Sequence, residues 1–415
     1  MFTSFSTALS ALSATDTAID VVGNNLANLD TTGFKASTVS FEDLVTQSLG
    51  AGLGETQVGF GVGAPVTQTQ FTQGSTQTTS GLLDAAIQGG GFFIVQGPNS
   101  TTEYTRDGSF QTDANGDLTT ATGEVVQGWT IDSSGVVDTN APIGNITIPT
   151  GTLMAPTPTG NISLSMNLNA AATQGNADAT FSTSIQIYDS LGVAHTVTAT
   201  FTQDATTPNT WDYSISVPSG DLTSAFTPVT GTLTFSSSGQ LVSPASGSPI
   251  QIPITGYADG AADQTLNWNL YNGTTPLLTQ YAQTSSVTSD DQDGSAAAQL
   301  TSVGIAEGGQ ILAKYSDGQQ QVVGQLAMAT IRNPDSLVAS GNNNYELGAN
   351  TALPAIGLPN TGGRGDVTGG ALEASTVDIA TEFTNLIVFQ RGYEANAKVI
   401  TTVDQLSQDT INLKQ

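Results

Sequence analysis

The chain contains few residues whose type and spacing could support catalysis. His195 is the single histidine, and it lies in phase with Val193 and Val197, so we interpret it as a strand residue on a core or edge face. No Gly-x-Ser-x-Gly elbow supplies the nucleophile that a Ser-His-Asp triad needs. Cysteine is absent, which excludes disulfides, thiolate metal sites and cysteine catalysis. We therefore expect no enzymatic activity, no catalytic residues and no cofactor.

One acidic cluster is similar to a calcium-binding loop. Asp290, Asp291 and Asp293 precede Gly294, but Leu300 falls where the twelve-residue loop requires a bidentate glutamate. We interpret the segment 284–294 as a solvated linker, with a weak cation site as the alternative.

Two glycine-containing patterns also match known sites only in part. Gly89–Gly91 precedes the strand-like run that begins at Phe92, whereas a phosphate-binding loop follows a strand and opens a helix. A tight turn explains these glycines better. Arg364–Asp366 matches an integrin-binding tripeptide, and in a chain with 46 glycines such a match is expected by chance.

The composition argues against several classes of partner. The formal net charge is -27, and the eight Lys and Arg residues are scattered, so nucleic acid and anionic membrane surfaces are poor partners. No run approaches the roughly 20 apolar residues of a membrane helix. The first residues lack the basic and apolar regions of a secretory signal peptide, so export would proceed without a cleaved leader.

Both ends of the chain have apolar residues at coiled-coil spacing. The intervals are 3, 4 and 7 residues in the sets Phe2, Phe5, Leu9, Leu12, Ile19, Leu26 and Leu372, Ile379, Phe383, Leu386, Tyr393, Ala397, Ile400. This spacing predicts two helices whose seams pair. Such long helices cannot bury their apolar stripes on one small domain, so we expect them to assemble with other chains.

Polar residues interrupt these seams. Asp16, Gln390 and Asp404 lie in phase with the apolar residues. They either fix the register of a coiled coil, at a cost in stability, or face solvent where the seam wanders. A break of the first helix is expected near Gly23–Asn25, because Gly and Asn weaken helices.

Between the ends, strand and turn signals predominate. The predicted fold is mixed and mainly β, with nested β domains inserted between paired terminal helices. A helical core domain comprises 1–33 and 372–415, a first β-rich domain comprises 34–155 and 284–371, and an outer β domain comprises 156–283.

Several segments resemble bacterial flagellar rod and hook proteins. The resemblance lies in Ser10–Ala14, Val22–Asn28 and Thr32–Lys35 near the start, and in Gly370–Asp378 and Gln390–Ala397 near the end. Thr376 departs from the asparagine that is usual in the family. The middle, including Ile187–Val197, Trp211–Tyr213 and Leu326–Pro334, is similar to flagellar hook proteins, whereas distal rod proteins lack this insert.

The resemblance implies a structural subunit that polymerises helically into a curved tube, the universal joint between rod and filament. It implies that the terminal helices form the inner core around an export channel and the β domains form outer layers. It further implies a location in the extracellular hook of the basal body. Implied partners are other copies of the chain, the distal rod protein, the hook cap protein, the hook–filament junction protein and the flagellar type III export apparatus. The alternatives are a distal rod subunit and a secreted β-rich adhesin.

Overall fold

The computed structural model describes residues 2–44, 46–49, 56–131, 136–151, 153–173 and 176–412. The chain divides into two compact units. The first comprises Met1–Thr150, Ser302–Lys314 and Gln320–Gln415, and the second comprises Gly151–Thr301 and Tyr315–Gln319.

Two α-helices lie near the ends of the chain, with strands between them. The helices are α1 (Phe2–Ala27) and α2 (Ile379–Asn412), and short 3₁₀ turns cover Ala177–Ala179, Glu307–Gly309 and Pro334–Ser336. The strands up to the middle of the chain are β1 (Ser37–Ser40), β2 (Thr46–Leu49), β3 (Thr56–Gly59), β4 (Val66–Thr69), β5 (Thr76–Thr78), β6 (Ala85–Gln88), β7 (Phe92–Gln96), β8 (Thr102–Thr105), β9 (Phe110–Thr112), β10 (Leu118–Thr120), β11 (Val125–Thr130), β12 (Gly144–Asn145), β13 (Leu153–Met154), β14 (Asn161–Asn169), β15 (Thr180–Tyr188), β16 (Ala194–Gln203) and β17 (Thr210–Ser216). The remaining strands are β18 (Val229–Phe235), β19 (Leu241–Ser243), β20 (Ile250–Ile254), β21 (Gln264–Asn269), β22 (Tyr271–Asn272), β23 (Thr275–Pro276), β24 (Leu278–Tyr281), β25 (Ser286–Gln292), β26 (Ala298–Ile305), β27 (Gln310–Tyr315), β28 (Gln320–Leu326), β29 (Met328–Thr330), β30 (Val338–Gly341), β31 (Asn344–Glu346), β32 (Ala355–Gly357), β33 (Asp366–Gly369) and β34 (Ala371–Glu373). The prediction of a mainly β chain with terminal helices is confirmed.

The first unit is held together by antiparallel pairing between strands that are distant in sequence. β7 pairs with β8, β11 and β29, and β11 also pairs with β28. A cluster of buried aromatic and aliphatic side chains covers this sheet, including Phe92, Tyr104 and Tyr345. Two further pairings, β33 with β6 and β34 with β5, join the segment before α2 to the early strands.

The second unit is a sandwich of two five-stranded sheets. One sheet has the order β15-β16-β17-β18-β19, and the other contains β20, β21, β14 and β24, with β25 also paired to β14. Alternate residues of each strand point into one core. Trp268 connects the two layers, because its ring packs edge-on against Phe201 and Tyr213.

The alternation predicted around His195 is present in β16. His195, Val197 and Phe201 are buried, whereas Ala194 and Thr196 are exposed. Val193 precedes the strand and is 45% exposed, because the turn at Asp189–Gly192 ends just before it.

The linker predicted over 284–294 is wrong for most of its length. Residues Ser286–Gln292 form β25, which pairs antiparallel with β14. The predicted division into three domains, with a boundary at 283, remains a prediction. Through its pairing with β14, however, β25 belongs with the strands of the predicted outer domain, 156–283. The sequence pattern did not indicate this strand, because its residues are mostly polar. All of them except Val287 and Gln292 are exposed.

Candidate assembly site: the terminal helix pair and its junction

Helix α1 continues through the predicted break at Gly23–Asn25. Asn25 is 1% exposed, and its side-chain amide donates to the Ser37 carbonyl at 2.8 Å while its oxygen accepts from the Ser37 N–H at 3.0 Å. These bonds satisfy a residue that would otherwise weaken the helix. The expected break is therefore wrong, and Asn25 instead fixes the chain segment that follows α1.

The two helices pack antiparallel. Asn25 near the end of α1 lies 3.2 Å from Glu382 in the first turn of α2. Thr15 lies beside Gly392, where an added Cβ would be 3.9 Å from the threonine methyl group. Ala8 and Ala11 share a surface depression with Asn396 and Val399. The prediction that the terminal helices pair is thus supported by contacts along their length.

The seam within this pair has the predicted period but a different phase. On α1, Ala8, Ala11, Thr15, Ala18, Val22 and Asn25 are spaced 3, 4, 3, 4 and 3, and all are buried except Ala11, which is half-buried. Each lies one residue before the phase set by Leu9, Leu12, Ile19 and Leu26. On α2 the contacts at Glu382, Gly392 and Asn396 likewise lie one residue before Phe383, Tyr393 and Ala397.

Small side chains explain this shift. Helices approach each other more closely where the side chains between them are short, and Ala and Gly occupy the contact. Because these residues are weakly hydrophobic, the larger neighbouring residues dominated the sequence pattern. The predicted seam residues therefore lie beside the intrachain contact, and most are exposed or half-buried.

The displaced residues form an exposed apolar face on the helix pair. The exposed fractions are 41% for Phe5, 53% for Leu9, 46% for Ile379, 52% for Phe383 and 41% for Tyr393. Leu12, Ile19, Leu26, Leu386, Ala397 and Ile400 are half-buried, and the side chain of Phe2 lies outside the described residues. Other apolar side chains of α2 that the sequence analysis did not select are also exposed, namely Ile387, Val388, Val399, Leu406 and Ile411, with exposed fractions of 44–62%. Large exposed apolar surfaces of this kind mark interaction sites.

The candidate register residues do not lie in the intrachain seam. Asp16, Gln390 and Asp404 are all exposed, and Asp404 accepts a hydrogen bond from Gln408 one turn later at 3.0 Å. Within one chain these three residues face solvent, since they share the displaced phase. A role at contacts with another chain stays a prediction.

Leu372 is not a helical residue. It lies in β34 and pairs with Gln77 of β5, so its assignment to the helical seam is wrong. Gly370, whose φ is 65°, precedes this strand, and α2 begins only at Ile379. Strand pairing here overrides the heptad spacing because the segment is tied into the first unit before the helix starts.

A buried ionic cluster lies where the two ends of the chain meet. Glu373 is fully buried and accepts hydrogen bonds from the Lys35 ammonium at 2.6 Å, the Gly74 N–H at 2.7 Å and the Arg106 guanidinium at 3.1 Å. Lys35 also donates to the Thr72 carbonyl at 2.6 Å, and Arg106 to the Gly89 carbonyl at 2.9 Å. The cluster thus connects three parts of the first unit: the segment that follows α1, the strands of its β-rich part, and strand β34, which precedes α2.

Burial acts on the pKa values of this cluster. Desolvation lowers the pKa of Lys35 and of Arg106, and the opposing attraction of Glu373 offsets this only in part. Two buried cations therefore depend on one carboxylate. Sequence reasoning missed this cluster, although Lys35 and Glu373 lie in the two terminal motifs and are among few charged residues in them.

Backbone contacts reinforce the same junction. The Gly33 N–H donates to the Glu373 carbonyl at 2.7 Å. With φ at +67°, a Cβ at Gly33 would lie 2.6 Å from the Arg106 carbonyl carbon, so only glycine fits there. Thr376, the departure from the family pattern, accepts a hydrogen bond from the Ala36 N–H at 2.9 Å. A hydroxyl thus supplies an acceptor at this position.

Glu382 provides a pH-dependent contact between the helices. Burial raises the pKa of Glu382, opposed by its hydrogen bond from Asn25, and Asp378 raises the pKa further. The folded state then binds this proton more tightly than the unfolded state. Its contribution to stability is greatest below the unfolded pKa of about 4.3 and is lost as pH rises through the folded pKa.

We expect Glu382→Gln to flatten this pH dependence and to raise stability at neutral pH. The amide retains an oxygen for Asn25 without a buried charge. Urea unfolding followed by helical circular dichroism between pH 4 and 7 measures the effect, and Glu394→Gln on the exposed face of the same helix is the control. An unchanged pH profile in Glu382→Gln would contradict the assignment.

The other patterns selected from the sequence have structural roles. Gly89 and Gly90 form a bend between β6 and β7, and Gly91 follows it. Arg364 donates to the Leu358 carbonyl at 2.9 Å within its own loop. Asp293 accepts bonds from the Gly160 and Asn161 N–H groups at 2.7 and 2.8 Å, while Asp290 and Asp291 are exposed on β25. The acidic run therefore does not converge on one cation site.

Within the described residues, neither helix combines the length and apolarity that crossing a membrane requires.

Comparison with known protein families gives four matches along the chain. Residues 5–35 match the family described as "Flagella basal body rod protein", and residues 368–413 match "Flagellar basal body rod FlgEFG protein C-terminal". Residues 86–167 match "Flagellar hook protein FlgE/F/G D1 domain", and residues 160–295 match "Flagellar basal body protein FlaE D2 domain". The terminal matches coincide with the helix pair and its junction.

Full-length relatives and a solved structure agree with these matches. The chain is 34% identical to the flagellar hook protein FlgE of Borreliella burgdorferi over 450 residues, covering 100% of both chains. It is 33% identical to FlgE of Escherichia coli K12 over 420 residues, covering 99% of this chain and 100% of that protein. The crystal structure of Helicobacter pylori FlgE2 has a TM-score of 0.53 at 15% identity, covering 72% of this chain and 100% of that one, and this likeness supports the fold alone. The chain therefore belongs to the family of flagellar hook proteins.

Proposed function

We propose that the chain is the structural subunit of a bacterial flagellar hook. It polymerises helically into a curved tube that joins rod to filament and transmits torque as a universal joint. The observation that carries the proposal is the exposed apolar face of the helix pair, on a chain whose full-length relatives are hook proteins. This role is structural and requires no catalytic group.

The helix pair provides the permanent contacts of the proposed tube. Leu9, Ile379 and Phe383 are 46–53% exposed, and burying apolar area stabilises contacts by about 25 cal/mol per Å². A chain alone cannot cover this face, because its partner helix already occupies the adjacent seam. Neighbouring copies would cover it in the inner layer of the tube.

The second unit suits contacts that change during rotation. The outward positions of β15 carry short polar side chains, namely Thr180, Ser182, Ser184 and Gln186, all exposed. Polar groups exchange direct and water-mediated hydrogen bonds at little cost. Outer contacts of this kind would let subunits shift against one another while the inner contacts persist.

Two alternatives are less well supported. A distal rod subunit would share the terminal segments, but the match of residues 160–295 to the FlaE D2 domain favours a hook subunit. A secreted β-rich adhesin has only the composition in its favour.

We further propose the distal rod protein, hook cap protein, hook–filament junction protein and type III export apparatus as partners. The proposed location is the extracellular hook.

Electron microscopy of the purified full-length chain tests the proposal. At high protein concentration we expect tubes, straight or curved, built from helically arranged subunits. Glycan binding by a chain that stays monomeric at every concentration would favour the adhesin and overturn the hook assignment.

A further inference from the structure

We propose that the second unit binds a divalent transition-metal cation of the zinc class through Asp189, His195 and Asp259. This site is independent of the helix pair and of the proposed hook function. The ligand atoms would be the Oδ2 atoms of the two carboxylates and Nε2 of the imidazole.

The three ligand atoms converge at coordination distances. His195 Nε2 lies 3.0 Å from Asp189 Oδ2 and 3.7 Å from Asp259 Oδ2, and all three atoms lie within 4.8 Å of one another. Ligands of a tetrahedral zinc ion at about 2.0–2.1 Å are separated by roughly 3.3 Å. Small side-chain adjustments would therefore place a cation between them, with a fourth position left for water.

The carboxylates are arranged as metal ligands usually are. Asp189 uses Oδ1 to accept the Leu191 and Val193 N–H groups at 2.8 and 2.9 Å. Asp259 uses Oδ1 to accept the Ala261 N–H at 3.0 Å. In both residues the backbone holds one oxygen, and Oδ2 is directed toward the imidazole. Such outer hydrogen bonds orient ligating side chains.

The second ring nitrogen of His195 also faces a carboxylate. Its Nδ1 lies 3.2 Å from Asp221 Oδ2, although the alignment falls short of a hydrogen bond. With Nε2 bound to a metal, the Nδ1 proton would point to this carboxylate after a small rotation, as is usual for metal-binding histidines. Asp221 would thus be a positioning residue.

Charge and unsatisfied polar atoms favour a cation here. Three carboxylates surround one imidazole, so even a protonated His195 leaves an excess of negative charge in a partly desolvated pocket. Tyr257 is 3% exposed, packs its ring 4.7 Å from that of His195, and its hydroxyl has no well-aligned partner among the described residues. A metal-bound water would offer this hydroxyl a partner.

The ligand set selects the class of metal. An imidazole nitrogen with two carboxylates suits zinc-like cations, whereas Mg²⁺ and Ca²⁺ prefer oxygen ligands alone. A bound cation would connect the turn at Asp189, the start of β16 and the loop at Asp259. The cation would close one end of the sandwich in a chain that has no cysteine for disulfides.

Because His195 is the single histidine, imidazole NMR of the full chain reports directly on this site. We expect one equivalent of ZnCl₂ to shift the His195 ring signals and to suppress their change with pH, and an equal concentration of MgCl₂ to leave them unchanged. If Zn²⁺ leaves the His195 ring signals unchanged, any bound metal lies on other carboxylates, and the proposal is overturned.

Matched variants distinguish the proposed ligands from other acidic residues of the second unit. Competition with a chromophoric chelator should give at least tenfold weaker Zn²⁺ binding for Asp259→Asn, and roughly 10–100-fold weaker binding for Asp221→Asn. Asp290→Asn, an exposed acidic residue of the same unit, should bind as the unmodified chain does. Equal affinity in all three variants would refute the site, and Asp221→Asn keeps the test decisive if Asp259→Asn fails to fold.

Discussion

Replacing Glu373 with glutamine should lower the free energy of unfolding of the first unit by about 3–5 kcal/mol. The change leaves the Lys35 ammonium and the Arg106 guanidinium, whose side chains are 0% and 4% exposed, without their shared counter-charge. Urea denaturation of the dilute chain, followed by circular dichroism and tryptophan fluorescence, measures the loss.

The matched control is Glu394→Gln. Glu394 pairs with Arg391 at 2.8 Å, but these side chains are 65% and 78% exposed. Exposed pairs contribute little to stability, so the control should change it by less than about 0.5 kcal/mol. A loss below about 1 kcal/mol in Glu373→Gln would mean that the cluster is not a critical junction.

The pH dependence of the same variant gives a second readout. Without Glu373, desolvation dominates at Lys35 and keeps its folded pKa below the unfolded value. The folded state then binds fewer protons than the unfolded state, so stability should rise with pH toward the unfolded pKa of about 10.4. Arg106 stays charged, so only part of the loss should return.

The double variant Ile387→Ser and Val388→Ser should raise the critical concentration for polymerisation roughly 30-fold. Both side chains are 59% exposed on α2, and losing their burial in the assembly would cost about 2 kcal/mol per subunit. Each 1.4 kcal/mol corresponds to a tenfold change in an equilibrium constant. Sedimentation of assembled protein across a concentration series, with electron microscopy of the pellets, provides the measurement.

Monomer stability should change little in this variant, because neither residue lies in the intrachain seam. The control is Val242→Ser on β19, since Val242 is 56% exposed but lies in the second unit. Polymerisation by the double variant at the unmodified critical concentration would remove the surface around Ile387 and Val388 from the assembly interface. These substitutions are cleaner than deleting 372–415, which would also remove Glu373 and disrupt the junction.

Local patterns were sufficient for much of this protein. Heptad spacing identified both terminal helices, and alternation identified β16, because helix and strand periodicity depend on residues close in sequence. The same local signals misplaced Leu372 in a helix and overlooked β25. Both errors arose where pairing with a distant strand outweighed the properties of the segment itself.

Residue spacing and local motifs were enough to predict the fold class, the period of the helical seams and the relation of the chain to hook proteins. Tertiary structure alone decided the phase of the seam, because the small residues that permit close helix contact contribute little to a hydrophobicity pattern. It also decided which charges meet, since Lys35 and Glu373 are 338 residues apart. The carboxylates around His195 come from separate loops as well, and no periodicity in a sequence encodes such convergence.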